Sequence, residues 1–192
     1  MSITVLRWAD HLPTPWKNGS GSTREVAAAP PGSGLADFDW RVSIADVEAA
    51  GPFSAFPGVN RVIMLVDGHD MLLTVDGTDH RLTPARPFAF SGDTAVSCRL
   101  PSGPTRDINV MTRQGRTTAT MSVLDVQTHR DIAAHPDETL LVIALSGQLT
   151  VPITESNQAT LERLDAVRLE EAGEFRIRGH GTLAEIRITP TH

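Results

Sequence analysis

A single cysteine, Cys98, stands in the 192-residue chain, and tyrosine is absent altogether. One thiol cannot close an intramolecular disulfide, so the expected setting is reducing and cytoplasmic. No apolar run is long enough to cross a bilayer, and no membrane partner is expected. The first residues show no charged stretch leading into an apolar one, so no signal peptide is expected. Cations are outnumbered, with 17 Lys and Arg against 23 Asp and Glu and a formal net charge of −6. With no basic stripe in the chain, nucleic acid is not an expected partner. There is no Gly-x-Ser-x-Gly elbow for a serine nucleophile. There is no phosphate-binding loop either, because Lys17 precedes the glycines of its segment.

What is plentiful is punctuation. Fifteen Gly and 13 Pro are spread over a chain with few aromatics. That composition predicts many short strands joined by turns. Strands are expected at Ile3–Trp8, Thr23–Ala29, Asp39–Val47, Arg61–Val66, Met71–Val75, Ala95–Leu100 and Arg106–Thr112. A second series covers Met121–Gln127, Thr139–Leu145, Gln148–Ile153, Glu174–Arg178 and Leu183–Ile188. Asp76-Gly77 reads as a hairpin turn, and Glu155–Leu164 as a short helix with weak periodicity. The apolar strand before Asp67-Gly68 and the strand after it are echoed around Ser146-Gly147. The echo predicts two similar antiparallel halves, 1–115 and 116–192, each a jelly roll.

The stretch Pro15-Trp16-Lys17-Asn18-Gly19-Ser20-Gly21-Ser22-Thr23-Arg24-Glu25 gathers donors around two glycines. Two strands carry a polar stripe beside an apolar one. Arg41 and Ser43 alternate with Trp40, Val42 and Ile44, and Asp107 and Asn109 alternate with Ile108 and Val110. Alternation allows two orientations: the stripe lines a pocket, or it faces solvent while the apolar positions form the core. Arginine suits a carboxylate because its fork bonds both oxygens. On the pattern alone the solvent-facing orientation is favoured. It is a family likeness running through these residues that makes Lys17, Asn18, Thr23, Arg24, Glu25, Arg41, Ser43, Arg61, Asp107 and Asn109 the expected ligand-binding residues. No catalytic residue is assigned, although Glu25 and Asp107 are the carboxylates able to act as a base.

The segments Pro15-Trp16-Lys17-Asn18-Gly19, Thr23-Arg24-Glu25, Trp40-Arg41-Val42-Ser43-Ile44-Ala45 and Gly51-Pro52-Phe53-Ser54 resemble those of the HutD/Ves family. So do Phe56-Pro57-Gly58, Arg61, Arg106-Asp107, Asn109 and Met111. The likeness covers roughly the first two thirds of the chain. The family pattern usually reads Lys-Asn-Gly-Gly-Gly, and Ser20 replaces its middle glycine. The resemblance implies an all-β bicupin and an association with histidine utilisation. It also implies binding of a pathway metabolite such as N-formylglutamate. A cupin metal site needs two His at i and i+2, a following Glu and a later His. Gly51–Val62 offers neither residue, and Asp131–Val142 offers only His135 and Glu138, so no metal and no cofactor are expected. The expected partner is a small-molecule carboxylate, and the chain is compatible with a homodimer. Two functions follow: a binding protein that modulates histidine utilisation, or a metal-free cupin enzyme acting on an acylated amino acid. A scaffold role comes third.

Overall fold

The computed structural model describes residues 3–154 and 156–191. Strand β1 (Ile3–Leu6) opens the chain, and a 3-10 turn over Trp8–Asp10 follows it. The strand stops short of Trp8 because the Arg7 side chain and the Trp8 N–H both turn to the buried Asp165 carboxylate, at 2.7 and 2.8 Å.

The contacts group Leu12–Thr118 into one compact unit. Its strands are β2 (Thr14–Pro15), β3 (Gly21–Ala29), β4 (Trp40–Val47), β5 (Gly51–Pro52), β6 (Val59–Asp67) and β7 (Met71–Val75). They continue with β8 (Thr78–Leu82), β9 (Phe88–Ser91), β10 (Val96–Arg99) and β11 (Thr105–Arg113). One antiparallel sheet runs β2-β3-β4-β11-β6-β9 and a smaller one runs β5-β10-β7-β8. The sheets share a core to which Val47, Ile63 and Leu65 come from the first and Met71, Leu73, Leu82, Val96 and Cys98 from the second. Each such side chain removed from water contributes about 1.5–3 kcal/mol, which fixes the facing of every strand that carries one. Asp76-Gly77 closes the β7–β8 hairpin with both residues at positive φ.

The second unit is built from the described residues up to His11 together with Ala119–Pro190. Its sheet contains β1, the strand β12 (Thr117–Val126) that enters it, β13 (His129–Ala134), β14 (Thr139–Pro152), β15 (Gln158–Leu161), β16 (Ala166–Leu169) and β17 (Gly173–Pro190). Leu140, Val142, Leu149, Val151, Val167, Phe175, Ile177 and Leu183 form its core. β1 pairs β16 from Ile3↔Leu169 to Leu6↔Ala166, so the first strand joins this unit rather than the half that follows it in sequence. A division of the chain at 115/116 alone leaves that strand on the wrong side.

Two further expectations are corrected here. Thr139–Leu145 and Gln148–Ile153 are one strand, as are Glu174–Arg178 and Leu183–Ile188, because the β14–β17 ladder shifts at Ala144/Ser146 and then resumes. A bulge bends a strand without ending it. The helix expected over Glu155–Leu164 does not form in its described part. Glu155 lies outside the described residues, and Gln158–Leu161 pairs with Leu149–Pro152 as β15. Pairing to a buried strand overrides a weak helical pattern. The result is an all-β bicupin with two jelly-roll halves, whose sheets are open rather than closed barrels.

Candidate functional site

Directly paired residues in an antiparallel sheet project to the same face. The registers therefore align three rows: Arg41, Met111 and Arg61; Ser43, Asn109 and Ile63; Ala45, Asp107 and Leu65. From β3, Thr23 pairs Ala45 and Glu25 pairs Ser43, so they join the same face. Ile63 and Leu65 belong to the core between the two sheets, and the polar stripe shares their side. The opposite residues Trp40, Val42, Ile44, Ile108 and Val110 are buried as well. The stripe is thus interior, and it does not form the solvent face of the sheet.

It lines a cavity of about 700 Å³, within the usual range for small-molecule sites. Lys17, Asn18, Thr23, Glu25, Arg41, Ser43, Arg61, Asp107 and Asn109 all border it. Arg24 does not, and this corrects the expected set. It pairs Ile44 on the far face of β3, because the alternation that turns Thr23 and Glu25 inward turns the residue between them outward. Trp16, Phe53 and Phe56 also line the cavity and were missed as site residues. The signal available for the two phenylalanines was their position in a compact Pro/Gly turn just before Arg61.

The glycine loop is braced internally. The Trp16 indole N–H donates to Thr23 Oγ1 at 2.7 Å, and the Trp16 amide donates to the Gly21 carbonyl at 2.9 Å. Gly19 N–H donates back to the Trp16 carbonyl at 3.0 Å, and the Ser20 amide and hydroxyl both donate to Asn18 Oδ1. The Gly19 amide is therefore used within the turn and is not an open donor. Gly19 sits at φ +70° with nothing near its missing Cβ, whereas a Cβ on Gly21 would collide with the Asp46 carbonyl and come within 3.2 Å of the Trp16 ring. Gly21→Ala is expected to destabilise the fold by about 1–3 kcal/mol, the range for forced overpacking. Gly19→Ala is expected to cost about 1 kcal/mol of backbone strain. Chemical denaturation of both variants checks the contrast.

The charges are arranged in two layers. Toward solvent, Arg41 Nε donates to Glu25 Oε2 at 2.8 Å, with Arg41 mostly buried and Glu25 half-exposed. This is the only hydrogen bond Arg41 makes among the described residues, and none of them takes up its two Nη groups. Deeper lies Arg61, 5% exposed, its guanidinium 4.9 Å from the Phe90 ring centroid and 5.5 Å from those of Phe53 and Phe56. Its Nη1 reaches the Ser54 carbonyl only at 3.4 Å, and its Nε has no hydrogen-bond partner. Burial brings its pKa down to about 10, against the pull of Asp107. Asp107 is 1% exposed and makes no hydrogen bond among the described residues. Burial pushes its carboxyl up to about 7, with Arg61 opposing and Asp46 adding to the rise. Asn109 Oδ1 is buried without a partner. Cys98 sits in the core near this carboxyl, and burial raises its thiol above the usual range. Among the described residues no group of three or more His, Cys, Asp or Glu is placed to hold a metal ion.

A profile of the HutD family matches residues 8–185. The chain is 37% identical over 188 residues to an uncharacterised 21.2 kDa protein in the hutC 3′ region of Pseudomonas putida, covering 96% of this chain and 97% of that one. It is 44% identical over 112 residues to protein Ves of Citrobacter koseri, 57% of this chain and 58% of that protein. The structure of HutD from Pseudomonas fluorescens SBW25 in a formate condition superposes with a TM-score of 0.85 at 37% identity, covering 100% of both chains. The chain belongs to the HutD family, which is associated with the histidine-utilisation region.

Proposed function

We propose that this protein binds a small carboxylate in the cavity of its Leu12–Thr118 unit and modulates histidine utilisation through that binding. The observation that carries the reading is the convergence of Lys17, Arg41 and Arg61 on one cavity beside Ser43 and Asn109. Burying arginine is costly without an anionic partner. Glu25 supplies one to Arg41 on one edge only, and no ion pair within the described residues engages Arg61. A ligand carboxylate suits the unused Nη groups, and the Ser43 hydroxyl and Asn109 amide suit a formyl or amide group. N-formylglutamate, the metabolite type implied by the family resemblance, carries both. The working location proposed is cytoplasmic. No helix among the described residues is long and apolar enough to cross a membrane.

A ligand that binds only the native state raises the melting midpoint by mass action. Screening N-formylglutamate, N-formiminoglutamate and urocanate for such shifts tests the reading, and no shift with any of them overturns it. Arg41→Met is expected to weaken binding by roughly 1.5–3 kcal/mol, the worth of a charge-assisted hydrogen bond, while Arg168→Met in β16 leaves affinity unchanged. Titration calorimetry on both variants decides whether Arg41 serves the ligand.

A second reading is favoured by one observation, the buried Asp107 carboxyl that borders the cavity, which burial pushes up to about 7. A general base is most effective with a pKa near the working pH. In that reading the protein is a metal-free enzyme acting on an acylated amino acid. Incubation with the same compounds, followed by mass, separates the two, because a binder returns them unchanged.

A further inference from the structure

Asp107 is a buried carboxyl bordering the cavity, and among the described residues it makes neither a hydrogen bond nor an ion pair. Its paired neighbours are Ala45 and Leu65, neither of which can donate from a side chain. The groups around it come from every adjoining element. Arg61 on β6 is the only cation that lowers its pKa, and Asp46 on β4 raises it while being itself held by Arg106 Nε at 2.6 Å. Cys98 on β10 feels the Asp107 charge from the opposing sheet. Arg41, Glu25 and Lys17 border the same cavity, with Arg41 and Glu25 paired to each other. Among the described residues Asp107 therefore has a single counter-charge, Arg61, which is also the most buried cation lining the cavity.

We propose that Asp107 is the proton-carrying group of the site: it enters the complex as a carboxylic acid, donates its O–H to an oxygen of the bound carboxylate ligand, and binding takes up one proton from solvent. This inference rests on the carboxylate reading above. An anion seated near Arg61 offsets the charge that keeps Asp107 ionised, and it adds a second negative charge in a space poorly screened by water. Both effects favour the protonated carboxyl. Linkage is reciprocal, so a protonated Asp107 must bind the anion more tightly by the same factor. The step balances without a co-reactant: one solvent proton becomes the carboxyl hydrogen, and no bond of the ligand changes. Burial pushes the free carboxyl up to about 7, so the coupling falls near neutral pH.

The test uses the full chain and N-formylglutamate as probe, whose own carboxylates titrate far below the working range. Calorimetry between pH 6 and 8.5, in two buffers of different ionisation enthalpy, counts protons directly and needs no variant. Uptake approaching one proton per ligand is expected above pH 7, with Kd rising up to about tenfold per pH unit, the limit for one coupled proton. Asp107→Asn keeps the shape and a donor but cannot titrate, and its Kd is expected to be flat across the range. A wild-type Kd that is flat, or that falls with rising pH alongside proton release, overturns the inference and leaves carboxylate binding standing. The same holds if Asp107→Asn keeps the wild-type slope. Absence of binding by N-formylglutamate, N-formiminoglutamate and urocanate at every pH overturns both the reading and this inference.

Discussion

Asp107→Asn is expected to make the protein more stable at pH 8 and to leave its stability unchanged at pH 4. The folded carboxyl has its pKa raised from an ordinary value of 3.8 to about 7, with burial the leading cause. Below about pH 4 both folded and unfolded forms carry the proton, and the wild-type protein has its full stability. Between about pH 4 and 7 the unfolded chain has released the proton while the folded protein retains it. Raising the pH then favours unfolding, and stability falls until the folded carboxyl has also ionised. The span corresponds to roughly 4 kcal/mol at about 1.4 kcal/mol per unit. Asparagine removes the titration but keeps the volume and a cavity-facing polar group. Denaturant unfolding of both proteins at pH 4, 6 and 8 should therefore give a difference near zero, then intermediate, then of order 4 kcal/mol. A constant difference at all three pH values would show that Asp107 does not change its protonation on folding.

Much of this site is legible in the sequence because the strands that build it carry clean alternation. Trp40–Val47 and Arg106–Thr112 each separate a polar from an apolar row, and the registers of β4 and β11 bring the polar rows together. Pattern alone favours the solvent-facing orientation for the polar row, and the fold instead buries Ser43 and Asp107 and leaves Arg41 and Asn109 partly buried. Arg24 was misplaced for a reason the sequence does contain, since three consecutive strand residues cannot share one face. The aromatic cage of Arg61 was not legible. Phe53 and Phe56 lie in irregular backbone and Phe90 on an edge strand, so no period links them to β6. The glycine loop gathers donors in sequence, yet in the fold its amides and hydroxyls largely satisfy one another. Local hydrogen bonding of that kind depends on a three-dimensional closure that composition does not encode. The helix expected near Glu155 failed on similar grounds, because the pairing of β15 with β14 is a non-local contact.

Arg61→Met is expected to stabilise the protein at pH 6 while removing most of its affinity for carboxylates. The guanidinium is nine-tenths buried or more, one nitrogen has no partner, and its one hydrogen bond is long. Three phenylalanine rings contribute cation–π attraction, worth about 0.5–2 kcal/mol each at most, yet burial still wins and lowers the pKa to about 10. Methionine fits among Phe53, Phe56 and Phe90 as a flexible apolar filler with favourable sulfur–aromatic contacts. Replacing buried charge by apolar volume is commonly neutral or stabilising by about 1–4 kcal/mol. At pH 6 Asp107 is mostly protonated, so losing its counter-charge costs little and the gain is fully visible. At pH 8.5 Asp107 in the variant must either ionise without a partner or take up a proton, and the gain should shrink or reverse. The two signs distinguish this account from simple repacking, which would give the same difference at both pH values. Loss of binding should accompany the gain in stability, because Arg61 is the only deep cation among the described residues that line the cavity. Under the proposed function, a sequence that retains a buried arginine beside a buried carboxyl follows the common pattern in which stability is given up for a site. If Arg61→Met instead lowers stability by several kcal/mol at pH 6 and binds N-formylglutamate as the wild type does, Arg61 is a structural residue and the deep end of the cavity is not where the carboxylate sits.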